Sequence, residues 1–361
     1  MVISASGVLR LAVTLTAILM GLCAAWGALA LWYRTNGAPA MKALSVCLWS
    51  ALSLVLLAVL WQGRTVAAAA AFAAAFGCLL AWWRRIAPSN DRMWADDVAR
   101  MTSGTIDGNR ATLRNVRNFD WRSDTDYSQR WETRSYDLDG LKSVDIIMSH
   151  WQGPAIAHML ISFGFENGEY VAFSVEIRRE KHQTYSELGG FFKEFELSVL
   201  AADERDVIGL RTNVRGEDDY LYRVRVRRPV MRSLFLGYIG EANSLVLQPR
   251  FYHTIAVNCT TLVYHMLRRI VGPLPLSHQI IFSGYIPEYI YRVGGLDRRF
   301  PLDDLRAFGR ITDRARRAGR SDTFSADIRQ GIPPLCARDP PAMSGAAPVR
   351  AANAGSRIRR L

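Results

Sequence analysis

The sequence predicts an α+β protein carried on N-terminal transmembrane helices. Its apolar residues are concentrated in three early runs, the longest of which, Leu11 to Tyr33, has no charge and is long enough to span a bilayer. From Trp131 the pattern changes to a period of two, the signature of strands. Beyond Pro229 it changes again, to apolar positions at helical spacing. Together these give membrane helices first, then an antiparallel sheet packed on helices.

Residues 43–61 and 65–83 are the second and third apolar runs, the third alanine-rich. Trp26, Trp32, Trp49, Trp61, Trp82 and Trp83 lie mostly near run ends, where interfacial anchors belong. A cleaved signal peptide competes for the first run, but the run is long for one and two more follow closely. The expected organisation is a membrane anchor over 1–86 with two to three helices (11–33, 43–61 and 65–83), one folded domain over 87–335, and a disordered basic tail over 336–361. With three crossings, Arg34, Lys42, Arg84 and Arg85 share a side with the domain, and the positive-inside rule then points to the cytoplasm.

Residues 86–130 read as polar and turn-rich, with Trp94, Phe119 and Trp121 as packing anchors. Ala157 to Phe165 alternates, placing Met159, Ile161, Phe163 and Phe165 on one face and His158, Leu160, Ser162 and Gly164 on the other. Glu169 to Ile177 alternates as well, with Val171, Phe173, Val175 and Ile177 as its apolar set. Matching the two apolar faces requires a three-residue loop, Glu166-Asn167-Gly168, with Gly168 in the left-handed position. In that register Phe165 pairs with Glu169 and His158 stands opposite Glu176; a slip of two would substitute Arg178. Phe195 to Ala201 and Tyr220 to Val226 read as further strands, with Asp203-Glu204-Arg205-Asp206 as a charged turn between them.

Pro229 opens a helix with Leu234, Tyr238, Ala242 and Leu245 on one face. Asn258 is a good N-cap for the next helix, which directs Leu262, Val263, Met266 and Ile270 inward and stops before Gly272-Pro273. Cys259 therefore stands in the first helical turn, where free backbone N–H groups and the helix dipole favour a thiolate. Of the other cysteines, Cys23, Cys47 and Cys78 lie in apolar runs and Cys336 borders the tail, so disulfides are not expected to organise the fold. A nucleophilic cysteine needs a base and a group that orients it. His158, on the polar side of an otherwise apolar strand, is the candidate base, with Glu176 as orienter and Ser174 as the next choice. The competing roles are a small buried hydrophobe for Cys259, a satisfied core histidine for His158, and a solvated or ion-paired strand residue for Glu176. His253 lies in an approach segment, and His265 faces away from Cys259 on its own helix. No spacing suggests a metal site, and no glycine-rich phosphate loop or other cofactor motif is present. The net charge of +12 suits an anionic membrane surface, whereas nothing in the pattern supports nucleic-acid recognition.

Several segments, in order, carry a resemblance: Asn115-Val116-Arg117-Asn118-Phe119, Ile156 to Phe163, Phe173 to Glu180, Asp203 to Val207, Phe251-Tyr252-His253-Thr254, Asn258-Cys259-Thr260-Thr261 and Gly284 to Tyr289. Over roughly residues 94–335 the chain resembles the domain once called DUF4105, now described as the N-terminal periplasmic domain of Lnb-type lipoprotein N-acylation proteins. The order of histidine first and Asn-Cys later is also similar to circularly permuted NlpC/P60 papain-like enzymes. The resemblance implies a permuted papain-like fold, a periplasmic domain on a bacterial inner-membrane anchor, and a cysteine acyltransferase with Cys259 as nucleophile and His158 as base. It further implies membrane phospholipid and lipoprotein as substrates. A thiol hydrolase acting on cell-wall peptides and a non-catalytic binding module are the rival expectations. Two features depart from the family's pattern: Lys181-His182-Gln183, and apolar runs that precede the domain instead of following it.

Overall fold

The computed structural model of the chain describes residues 5–35 and 37–335. Cys336 and the basic tail lie outside the described residues. Two compact units are present. The first comprises residues 1–92, 183–196 and 250–254, and the second the remainder.

The first unit holds α1 (Ala5–Arg34), α2 (Pro39–Trp61) and α3 (Thr65–Arg85). All three are long and apolar enough to cross a membrane, over stretches of 28, 23 and 21 residues. Trp49 departs from its expected role as an interfacial anchor. It is buried in mid-helix, and its indole Nε1 donates to the Ala24 carbonyl oxygen at 2.8 Å. Gly27 makes this approach possible, because a Cβ there would lie 2.6 Å from Trp49 Nε1. Trp26 likewise packs on Phe76 and Trp83. Trp32 and Trp61 are exposed, as anchors would be.

The second unit is built on a mixed sheet. Its strands are β1 (Ser103–Asp107), β2 (Arg110–Arg117), β5 (Trp131–Asp137), β6 (Leu141–Gln152), β7 (Ile156–Phe165), β8 (Tyr170–Arg178), β9 (Glu196–Ala202) and β10 (Asp218–Arg223). Two short strands, β3 (Asp120–Trp121) and β4 (Tyr127–Ser128), pair apart from it. The order is β1-β2-β9-β8-β7-β6-β10, with β5 also on β2. The sheet is not purely antiparallel as the sequence suggested, because β9 returns to run parallel with β2 at Arg117↔Ala202. Nor is the 86–130 segment mainly turns, since β1 and β2 form a hairpin within it. The core positions of β2 include Ala111, whose small side chain gives a weak periodic signal.

The hairpin register agrees with the sequence reading. Leu160↔Ser174 through Gly164↔Tyr170 are paired, the Phe165 N–H donates to Glu169 O at 2.9 Å, and Gly168 takes φ +86°. Both faces of the sheet are covered. Phe163 and Phe173 pack against Phe235 and Tyr238 of α5 (Arg228–Leu247). On the opposite face Ile147, Leu160, Ala172 and Leu221 join a core with residues of α4 (Glu204–Gly209), α9 (Thr312–Ala318) and α10 (Phe324–Asp327). α6 (Cys259–Val271) and α7 (Ile286–Arg292) also pack in this unit, and α8 (Leu302–Gly309) lies against β10.

The Asp203–Asp206 segment is not a turn. Asp203 caps α4 by accepting from the Arg205 N–H at 3.0 Å, and Glu204 and Asp206 are fully buried. Distant residues compensate both charges. Asp206 accepts from Arg117 Nε and Nη2 at 2.9 Å each, from the Phe119 N–H at 2.8 Å and from Trp121 Nε1 at 2.7 Å. Glu204 accepts from Arg329 Nη1 at 2.7 Å and Nη2 at 2.6 Å, and from Ser162 Oγ at 2.5 Å. Four residues of mixed charge look like a solvated turn unless these partners are known.

Candidate active site

Cys259 begins α6, and its presentation follows from the residue before it. Asn258 Oδ1 accepts from the Thr260 N–H at 2.9 Å and the Thr261 N–H at 2.8 Å, while Thr261 Oγ1 accepts from the Asn258 N–H at 2.9 Å. This is a reciprocal capping box. It engages the second and third N–H groups of the helix but not that of Cys259. The thiol is buried, with Thr260 Oγ1 at 3.8 Å.

The β7–β8 ladder closes at Leu160↔Ser174, and beyond that pair the candidate residues gather. His158 Nε2 lies 2.7 Å from Ser174 Oγ and 3.3 Å from Glu176 Oε1. Ser174 Oγ in turn donates to Glu176 Oε1 at 2.6 Å. The His158 ring and the Met159 backbone amide lie near enough to the thiol to lower its pKa. Sequence reasoning placed His158, Glu176 and Cys259 in one constellation, and they are together here. Ser174, its second choice as orienter, is the nearer partner of the ring and is shared with the carboxylate.

Arg211 was not found from sequence. It lies in a single π-helical turn, Leu210–Val214, that continues α4. Its Nη2 donates to Glu176 Oε1 at 3.0 Å, and Nη1 is 3.8 Å from Glu217 Oε2. Behind it Ser149 Oγ contacts both Glu217 and Asp219. One hydroxyl carries one proton, so the two contacts require a proton on a carboxyl group as well. Burial, opposed by the Ser149 bond, pushes Asp219 up to about 7. The arginine carries no periodic or motif signal, and only the tertiary fold brings it to Glu176.

The electrostatics favour charge separation. Burial opposes the ionised form of each group, and the specific partners override it. His158 is raised to about 9, with burial and Arg211 opposing and Glu176 and Cys259 favouring the charged ring. Burial raises the Cys259 thiol, but His158 and the Met159 amide bring it below the ordinary cysteine value. Glu176 is held well below the carboxylate range, against burial, by His158, Arg211 and Ser174. A raised histidine and a lowered thiol together describe a thiolate–imidazolium pair.

This sets a pH expectation. Alkylation of Cys259 by iodoacetamide should plateau below the pH at which an ordinary thiol titrates, about 8.5. In His158→Gln the rising limb should move to higher pH and the rate near neutrality should fall severalfold. An unchanged profile would remove His158 from the pair.

A backbone latch holds the start of β7. Ser283 Oγ donates to Ala157 O at 2.6 Å and accepts from the Ala157 N–H at 3.0 Å, and the Gly284 N–H donates to Ala155 O at 3.0 Å. A Cβ on Gly284 would lie 2.0 Å from Pro154 O. Gly284→Ala should therefore cost about 1–3 kcal/mol and slow Cys259 alkylation by displacing the strand beside His158. Thermal unfolding and alkylation kinetics would measure the two effects separately.

His253 packs against Phe191 in the first unit, and His265 is exposed. Among the described residues no group of His, Cys, Asp and Glu is arranged to hold a metal ion.

Fold and site define a membrane-associated α+β protein with a buried cysteine and serine and a partly buried histidine and carboxylate brought together at one sheet end. The chain belongs to the Lnb N-terminal periplasmic domain family, which matches residues 127–308. It is a membrane protein with a periplasmic domain. This goes against the lysine and arginine count, whose bias is only a couple of charges. No curated protein and no solved structure matches the chain.

Proposed function

We propose that the protein is a membrane-anchored cysteine acyltransferase of bacterial lipoprotein N-acylation, with Cys259, His158 and Glu176 as its site. The observation that carries this reading is the Cys259–His158–Ser174/Glu176 chain at the start of α6. The Cys259 thiolate attacks the carbonyl carbon of a membrane acyl ester. With Nε2 engaged by Ser174 and Glu176, Nδ1 of His158 is the nitrogen that exchanges a proton at the reacting atoms. The ester C–O bond breaks, the leaving alkoxide takes the imidazolium proton, and an acyl thioester remains on Sγ. An amine, the N-terminal cysteine of a lipoprotein, then attacks the thioester. Neutral His158 takes the amine proton and the thiolate leaves, regenerating the ion pair. The Cys259 N–H, outside the Asn258 cap, is a donor for the oxyanion in both steps.

Glu176 and Arg211 act through the histidine. The carboxylate fixes the ring and stabilises its charge, and Arg211 holds the carboxylate ionised. The order of His158 on a strand before Cys259 on a helix supports a permuted papain-like arrangement for the domain, with the anchor over 1–86 and the folded part over 87–335.

The test is incubation of the full chain, in lipid nanodiscs, with a diacylated lipopeptide bearing a free N-terminal cysteine. The expected products are an N-acylated peptide and a hydroxylamine-labile acyl group on Cys259, both read by mass spectrometry. Cleavage of muropeptides with no acyl transfer would replace this reading with a cell-wall hydrolase, and inertness toward both substrates would leave a binding module.

A further inference from the structure

The sheet face that carries Met159 borders an apolar cleft with about 60 Å³ of free space and one open side. It lies between Val144, Ile146 and Ile161 of the sheet, Val263 of α6 and Ile290 of α7. Close packing normally leaves no such space in a core. Three hydroxyl-bearing residues reach the lining, and none offers it a free polar group. Tyr264 OH donates to Leu274 O at 2.8 Å, Tyr289 OH donates to Pro275 O at 2.9 Å, and Thr260 Oγ1 is turned toward the Cys259 sulfur. What remains is hydrocarbon and ring surface. A cleft of this composition has no group with which to recognise a peptide, a sugar or a phosphate.

Its position relative to the nucleophile is specific. Thr260 follows Cys259 in sequence, and the Met159 backbone amide lies near enough to the Cys259 thiol to lower its pKa; both residues line the cleft. A group bonded to Sγ therefore begins at the rim of an apolar channel. The loop that supplies Leu274 and Ile280 to the lining also carries Leu276, Ile281 and Phe282, with relative exposures of 80%, 49% and 45%. Exposed apolar side chains of this size mark contact with lipid or with a partner.

We infer that this cleft receives the hydrocarbon tail of one long acyl chain while its carbonyl is bound to Cys259, the chain entering past Leu276, Ile281 and Phe282. The inference rests on the acyltransferase reading and specifies where its substrate lies. Each methylene of a long chain buried there adds to binding, which makes the cleft the source of donor selectivity. Short acyl groups react at Cys259 without using it.

Two measurements on the full chain in nanodiscs test this. In the first, acylation of Cys259 is followed with acetyl and palmitoyl p-nitrophenyl esters, for wild type and for Val263→Trp and Ile290→Trp, which fill the cleft. The ratio of palmitoyl to acetyl rates should fall at least tenfold in both variants, with Cys259 still alkylated by iodoacetamide as the check on folding. An unchanged ratio would overturn the inference while leaving the acyltransferase reading intact. Failure of wild type to take up any acyl group would instead overturn that reading. In the second, a palmitic acid probe carrying a terminal diazirine is photolysed with Cys259→Ala protein, which needs no variant in the cleft. Crosslinks on α7 or the 274–282 loop are expected, and crosslinks confined to the membrane helices would overturn the assignment.

Discussion

Replacing Cys259 with alanine should abolish acyl-thioester formation and lower N-acylation by about 10⁴-fold or more, the scale on which a covalent nucleophile is missed. The thiol is the only one of the described cysteines that meets a histidine, and the other three lie on the apolar helices. Serine at this position should fare no better. A hydroxyl cannot be ionised by the environment that lowers the thiol, because its own pKa starts far higher. Removing Ser174 or Glu176 should be milder, since either leaves the ring one partner. Full N-acylation by the Cys259→Ala protein would end the acyltransferase proposal.

Arg329→Met should destabilise the domain by about 3–5 kcal/mol, the cost of leaving a buried charge without its partner. Arg329 donates Nε to Asp145 Oδ2 at 2.9 Å, engages both oxygens of Glu204, and lies 3.7 Å from the centre of the Tyr170 ring. Glu204 and Asp145 have no solvent exposure. Methionine restores the volume but leaves Glu204 with Ser162 and Asp145 with Arg223. Lysine keeps the charge but not the planar fork, and should recover only part of the loss. Thermal unfolding should fall by roughly 10 °C for a domain of this size. A shift under 2 °C would show that the buried network does not hold the fold. Arg329 lies beyond the family match at 127–308, as do β1 and β2, yet all three are built into the same sheet and core.

How much was legible depended on whether the signal was local. The β7–β8 register followed from period-two alternation and the glycine of a three-residue loop, so His158 opposite Glu176 could be counted out by hand. The Asn258 cap and the inward face of α6 were legible for the same reason, each fixed within one or two turns of helix. Ser174 ranked second because its residue type says little, whereas the structure shows that it bridges ring and carboxylate. Trp49 was misread because a tryptophan in an apolar run looks the same whether it faces lipid or a neighbouring helix. Asp203–Asp206 was misread because its compensating charges are Arg117 and Arg329, one on each side of it and far away in sequence.

By itself the sequence determined the membrane helices, the hairpin with its register, and a cysteine at a helix start. These depend on periodicity and on contacts a few residues long. The tertiary structure decided what surrounds them: the second covered face of the sheet, Arg211 behind Glu176, the paired buried charges, and an apolar cleft opening beside Cys259. Each of those joins residues from separate elements, and burial, which gives them their energy, exists only once the chain has closed around them.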